Sequence, residues 1–291
     1  MKKVAVIGLG IMGSAMSANL VKAGFAVRGY DVLAARRSQL AKAGVGAARS
    51  VADAVAGASF VITSLPSAQA LLDVAVAIGS ARHAKPLVIE TSTLPIAVKE
   101  EARKVLAAKG VTLLDCPLSG TGAQAKVRDL VVYASGPRAA CRKCAPVFEG
   151  FARAHFYLGK FGTGSKMKFL ANLLVAIHNV SAAEALVLGE KAGIDPALAV
   201  KVLGDGAGSS RMLQVRGPMM AAGKYSEATM KVAVWQKDMK IIGEFARALG
   251  VATPLFDTTA GIYDDAMAQG FADADTAAVH AVIRNRSGGS K

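Results

Sequence analysis

Six residues near the start of the chain restrict its fold more than any others. Gly8-Leu9-Gly10-Ile11-Met12-Gly13 follows the apolar run Val4-Ala5-Val6-Ile7 and opens an Ala-rich stretch that ends near Gly24. A lone G-x-G-x-x-G is common, but between a strand and a helix each glycine has a separate physical task. The first permits the tight turn, the second lets backbone approach a pyrophosphate, and the third lets helix pack closely on strand. Free N–H groups at the helix start then meet the phosphate charge. The next apolar run ends at Tyr30-Asp31, 23 residues beyond Gly8. A carboxylate there can accept the ribose hydroxyls of an adenosine and repels a 2′-phosphate, so NAD is expected over NADP. Arg36 and Arg37, a few residues on, keep NADP open.

The rest of the first half repeats this strand–helix alternation. VAVIGL, FAVRGY, FVITSL, LVIET, VTLLD and LVVYAS are short runs rich in Val, Ile and Leu, several of them continuous rather than alternating. Such runs suit a parallel sheet covered on both faces. Residues 14–23, 34–43 and 96–109 read as crossover helices, and HFYLG as a last short strand. The expectation is an α/β fold with a Rossmann-type, doubly wound sheet. After Gly162 strand signals vanish and Ala, Leu, Met and Gly dominate. Residues 166–191 read as one long helix, with further helices at 197–203, 209–222, 228–249 and 254–268. We therefore expect a dinucleotide-binding domain over residues 1–162. An all-α domain follows over 163–291, with 287–291 a frayed tail.

Two segments invite other readings. Lys2-Lys3 followed by an apolar run resembles a signal peptide, but three glycines interrupt the run. Residues 169–189 are as long as a membrane span, yet Asn172, His178, Asn179 and Glu184 lie inside, which is costly in lipid and ordinary in a core helix. A chain that is 53% hydrophobic and 19% charged is not intrinsically disordered. Three cysteines do not make a disulfide scaffold and suit a reducing, cytoplasmic setting. The net charge of +14 raises nucleic acid as a partner. Its basic residues are scattered rather than clustered with aromatics, which argues against it.

Four motifs in order carry a resemblance. They are GLGIMGSAMSANLVKAG; Asp115-Cys116-Pro117-Leu118-Ser119-Gly120-Thr121-Gly122; Gly162-Thr163-Gly164-Ser165-Lys166-Met167-Lys168 through Asn172; and Lys237-Asp238. From Lys3 to about Ile283 the chain resembles the β-hydroxyacid dehydrogenase family of 3-hydroxyisobutyrate dehydrogenase, tartronate semialdehyde reductase and L-threonate dehydrogenase. The resemblance implies a helical second domain for substrate and oligomerisation, joined by the long helix. It also implies metal-free hydride transfer between NAD and the hydroxyl carbon of a small anionic β-hydroxy acid, 3-hydroxyisobutyrate-like or a C3–C4 sugar acid. It makes Lys168 the catalytic residue and Ser119, Gly120, Thr121 and Asn172 the substrate-binding ones. Cofactor contacts fall to Gly8, Leu9, Gly10, Ile11, Met12, Gly13, Asp31, Leu65, Pro66, Thr93 and Lys237.

Two departures stand out: Thr121 where the family more often has glycine, and Pro95 two residues after Thr93 rather than three. Thr121 leaves the particular acid open. Imine reduction on the same scaffold is an alternative, but related imine reductases generally lack a lysine at this position. A non-catalytic nucleic-acid binder is another.

A lysine that takes a hydroxyl proton must spend time neutral, so its pKa has to fall from about 10.4 toward about 7–8. If Ser165 caps the helix, Lys168 lies in its first turn, where the macrodipole disfavours a cation. Lys166 adds a like charge. Asn172, four residues on, shares the helix face of Lys168. Cys141 and Cys144 form a single C-x-x-C on a helical surface stretch, too few ligands for a zinc site. The apolar helices of the second domain lead us to expect a homodimer or homotetramer.

Overall fold

The computed structural model describes residues 2–82 and 85–288; Met1 and the end of the tail from Gly289 lie outside the described residues. The chain forms two compact units that divide between Lys168 and Phe169.

In the first unit, β1 (Lys3–Ile7), β2 (Ala26–Tyr30), β3 (Gly46–Ala47), β4 (Phe60–Thr63), β5 (Leu87–Glu90) and β6 (Thr112–Asp115) make a parallel sheet. Its order is β3-β2-β1-β4-β5-β6, the doubly wound arrangement that reverses direction beside β1. Alternate residues of each strand feed opposite faces. Val4, Val6, Ile62, Ile89 and Leu114 enter one core with α1 (Ile11–Lys22) and, further along the chain, α7 (Arg138–Phe151). Ala5, Ile7, Val61, Val88 and Leu113 enter another, with the helices over residues 51–107. That double burial explains why the runs read as continuously apolar.

Between these helices lie α2 (Ala34–Ala41), α3 (Val51–Val55), α4 (Ala68–Ser80), α5 (Ile96–Ala107) and α6 (Gly122–Lys126). The segment starting at Lys3 is thus a central strand of the sheet. The two-residue β3 was not legible in the sequence.

LVVYAS and HFYLG do not extend this sheet, as their sequence suggested. With β7 (Leu118–Ser119), β8 (Val131–Ala134) and β9 (Ala154–Tyr157) form a second sheet, in which β7–β8 are antiparallel and β8–β9 parallel. A bridge between Asp115 and Ser135 ties it to the end of β6.

The second unit is helical. The long helix α8 (Thr163–Lys191) begins in the first unit and continues into this one. α9 (Pro196–Asp205), α10 (Arg211–Ala222), α11 (Val232–Ala248), α12 (Pro254–Ala268) and α13 (Val279–Arg286) follow. By length and composition α8 could cross a membrane. Its buried Asn179, however, is served by the unit's own interior. Asn179 donates to Tyr263 Oη at 3.0 Å and to the Thr276 carbonyl at 2.8 Å. Before α13 the chain turns on Asp275, which is fully buried. Its carboxylate accepts from Arg216 Nε at 2.9 Å and from the backbone N–H groups of Thr229, Met230 and Ala277.

At the start of α13 the buried His280 has Nδ1 2.9 Å from Tyr225 Oη and Nε2 3.2 Å from Glu190, which also pairs with Arg284. Burial lowers the imidazole's pKa from 6.5, helped by Arg284 and opposed by Glu190. The unfolded chain then binds a proton more readily than the folded one. Stability is therefore complete above pH 6.5 and falls as the pH drops below it, toward the folded value. Melting temperature measured from pH 8 to pH 5 should show this decline, and His280→Gln should flatten it.

Candidate active site

The glycine loop separates into parts that serve the fold and a part that does not. Gly8 has φ +91°, and a Cβ there would lie 2.1 Å from the Ser64 carbonyl oxygen. A Cβ on Gly13 would lie 1.9 Å from the carbonyl oxygen of Gly8. Packing alone therefore demands both. Gly10 has an ordinary φ of −69°, and a Cβ on it would meet nothing within 4 Å. No side chain caps α1 at Gly10, and no acidic residue occupies the first turn. Open space thus adjoins helix-end N–H donors that have no intrahelical acceptor. The loop fits a dinucleotide pyrophosphate, which the Gly10 position would hold nearest to backbone. Gly10→Ala should fold with unchanged melting temperature yet bind NADH about tenfold more weakly, a loss of about 1.4 kcal/mol, by fluorescence titration.

Asp31, at the end of β2, is buried and already employed. Its Oδ2 accepts from the Leu9 N–H at 2.8 Å and Oδ1 from the Leu33 N–H at 2.9 Å. Arg36 lies 3.2 Å away, and Arg37 stands over the Tyr30 ring. Burial alone would raise the carboxyl's pKa, but the two N–H groups and Arg36 hold it below the usual 3.8. The carboxylate therefore shapes the loop.

The other sequence candidates of the first unit gather at the carboxyl ends of the strands, where doubly wound sheets bind ligands. Leu65 and the exposed Pro66 follow β4, and the Leu65 N–H donates to Ser92 Oγ at 2.8 Å, beside Thr93 after β5. Ser119, Gly120 and Thr121 follow β6 through β7. Thr121 begins α6 with a reciprocal capping box: Gln124 Oε1 accepts its N–H at 3.0 Å, and its hydroxyl accepts the Gln124 N–H. The Thr121 N–H is thereby engaged within the loop itself. The α6 segment also seats against the phosphate-loop helix. Asn19 donates to the Ala125 carbonyl at 2.8 Å, and a Cβ on Gly122 would lie 2.4 Å from Ile11 Cγ2.

Ser165 does not cap α8. The helix starts at Thr163, so Ser165 lies inside the first turn and the half-buried Lys168 in the second. The macrodipole acts mainly within the terminal turn, so it reaches Lys168 less than the sequence suggested. Caps come instead from residues distant in sequence. Ser135 Oγ accepts the Gly164 N–H at 2.9 Å, and Asp115 accepts the Ser165 N–H at 2.8 Å and the Ser165 hydroxyl at 2.7 Å.

In the second unit Asn172 is buried and donates to Asp238 Oδ2 at 3.0 Å, while Lys237 Nζ lies 2.9 Å from Asp238 Oδ1. Asp238 thus joins two of the sequence candidates, a part the sequence did not assign to it. The cysteines of the C-x-x-C are not at the surface. Cys141 and Cys144 are buried in the core with Cys116, and burial pushes their thiols up to about 11 and about 12. Among the described residues, no group of three or more His, Cys, Asp or Glu could hold a metal ion.

A doubly wound sheet with this loop defines a dinucleotide-binding protein, and comparison with known proteins makes the dinucleotide a nicotinamide one. The NAD-binding domain of 6-phosphogluconate dehydrogenase matches residues 3–159. The NAD-binding domain of NADP-dependent 3-hydroxyisobutyrate dehydrogenase matches residues 162–283. An NAD-dependent L-serine dehydrogenase of Pseudomonas aeruginosa is 34% identical, covering 96% of this chain and 97% of its own. A 3-hydroxyisobutyrate dehydrogenase of the same organism is 33% identical over 88% and 89% of the two chains. The structure of a Mycobacterium tuberculosis 3-hydroxyisobutyrate dehydrogenase with L-serine superimposes with TM-score 0.87 at 30% identity, covering 98% of this chain and 99% of that one. The chain belongs to the β-hydroxyacid dehydrogenase family.

Proposed function

We propose that the protein oxidises the hydroxyl carbon of a small β-hydroxy acid, with NAD as the preferred cofactor and Lys168 as the proton-transfer group. One observation carries this reading. The first unit gathers the phosphate loop, the Ser119–Gly120–Thr121 loop and the α8 end bearing Lys168 at the carboxyl edge of its sheets. The bound nicotinamide supplies the hydride acceptor. Ser119 and Gly120 hold the substrate carboxylate, which fixes the hydroxyl relative to Lys168. Lys168 takes the hydroxyl proton during oxidation and returns it in the reverse direction. Asn172, one turn along the same helix face, orients the amine or the substrate hydroxyl. Asp31 puts buried negative charge where a 2′-phosphate would lie, which favours NAD; Arg36 offsets part of it.

Relatives acting on L-serine and 3-hydroxyisobutyrate support a small, three- or four-carbon substrate. Exposed Leu188, Leu198 and Val202 of the second unit support a homodimer or homotetramer, which light scattering would measure. The deciding experiment follows NADH formation with 3-hydroxyisobutyrate, L-serine, L-threonate and glycerate, each with NAD and NADP. Turnover of at least one acid, faster with NAD, is expected. NAD binding without turnover of any acid in either direction would overturn the β-hydroxy acid reading and leave imines as the next panel.

A further inference from the structure

Beneath the carboxyl edge of the main sheet lies a buried ionic cluster outside every motif that the resemblance assigns to chemistry, apart from Asp115. Glu90 ends β5 and Asp115 ends β6, and the two are register partners on adjacent strands. Both are fully buried, an arrangement that by itself sets two carboxylates against each other in low dielectric. Lys99, on α5, resolves it. Its side chain is fully buried, and its ammonium lies 2.6 Å from Glu90 Oε2, 2.9 Å from Asp115 Oδ1 and 2.7 Å from the Ser92 carbonyl. Three acceptors match the three N–H donors of an ammonium.

The remaining lone pairs of the cluster reach outward. Glu90 Oε1 accepts the Ser92 N–H at 2.9 Å, and Ser92 Oγ holds the Leu65 N–H. Asp115 accepts the Ser165 N–H and hydroxyl, and lies 3.2 Å from the Ser135 hydroxyl, which itself caps Gly164. A Cβ on Gly164 would sit 2.7 Å from the Asp115 carbonyl oxygen, so the helix end is pressed onto this strand end. One connected set of hydrogen bonds therefore fixes the turns after β4 and β5 and the first turn of α8.

We propose that Asp115, held in place by Lys99, is a positioning residue that sets the start of α8 and thereby aims Lys168. The proposal rests on the reading of Lys168 as the proton-transfer group. Asp115 bonds to the first turn of α8 and Lys99 bonds to Asp115, so both act through the helix rather than on the substrate. A displacement of about 1 Å in a reacting group can cost about 100-fold in rate, so a rigid anchor one turn before the lysine has a measurable consequence.

The test uses the full-length enzyme and the mildest break in the anchor, Ser165→Ala, with Ser165→Thr as the variant that keeps the hydroxyl. NADH affinity, melting temperature, kcat, and the pH dependence of kcat/KM are measured alongside Lys168→Ala. For Ser165→Ala we expect kcat to fall between about tenfold and about 100-fold, with NADH affinity within about twofold of wild type. The acid limb of kcat/KM should move to higher pH as Lys168 gains water, and Ser165→Thr should restore both. If Ser165→Ala does not fold, Ser135→Ala removes the neighbouring cap and serves in its place.

Unchanged kcat and pH profile in the alanine variant would overturn the proposal. So would a parallel loss of NADH affinity, melting temperature and rate with no movement of the acid limb. If Lys168→Ala abolishes turnover while Ser165→Ala is silent, this proposal fails and the lysine reading stands. If Lys168→Ala is as active as wild type, both fail.

Discussion

Lys168→Ala should lower kcat by about 100- to 10,000-fold while NADH affinity stays within about twofold, as expected when a general acid–base group is removed but binding is not. Lys168 lies at the end of the first unit, one turn after a helix end clamped by Asp115 and Ser135. That helix end is pressed onto the strand end leading into the Ser119 loop. The loss should fall on kcat and kcat/KM together, because proton transfer matters in the transition state and not in substrate binding. A variant that only raises KM would assign Lys168 to the substrate carboxylate instead. Stopped-flow NADH formation at saturating acid separates the two outcomes.

Lys99→Met should cost about 3–5 kcal/mol of stability, the penalty for leaving buried charges without their partner. For a unit the size of Met1–Lys168 that lowers the melting temperature by roughly 6–20 °C. Methionine keeps most of the stem volume, so cavity formation contributes little and the loss reports the charge. Burial alone would pull the ammonium's pKa down, but Asp115 and then Glu90 more than reverse this and raise it above the ordinary lysine value. Lys99 therefore stays charged throughout the working pH range and is no rival to Lys168 as the base. Glu90→Gln combined with Lys99→Met removes one carboxylate of the facing pair and should recover part of the loss. Calorimetry of the single and double variants decides. A double variant no more stable than Lys99→Met would mean that packing, not charge, is what the lysine supplies.

The two lysines also show how far the sequence could be read. Lys168 was singled out because the Gly162–Asn172 segment resembles the family's catalytic helix, a motif contained within a few turns of chain. Lys99 was not. In Ile96-Ala97-Val98-Lys99-Glu100-Glu101 it reads as one more charge on an amphipathic helix. Its meaning depends on Glu90 and Asp115 becoming register partners, which no local pattern contains.

The same division runs through the molecule. Strands buried on both faces, crossover helices, the glycine loop and the long α8 are local consequences of residue type and period, and the sequence alone determined them. Only packing separates Gly8 and Gly13 from Gly10, because Ser64 and the Gly8 carbonyl occupy the space. Tertiary structure alone decided the second sheet, the burial of Cys141 and Cys144, the role of Asp238 between Asn172 and Lys237, and the capping of α8. Ser165 has the chemistry of a cap, yet its hydroxyl is spent as a donor to Asp115 because that carboxylate arrives from 50 residues away. A side chain's partners are set by which distant segments share the same small volume, and sequence spacing carries that information only within a turn or two of the chain.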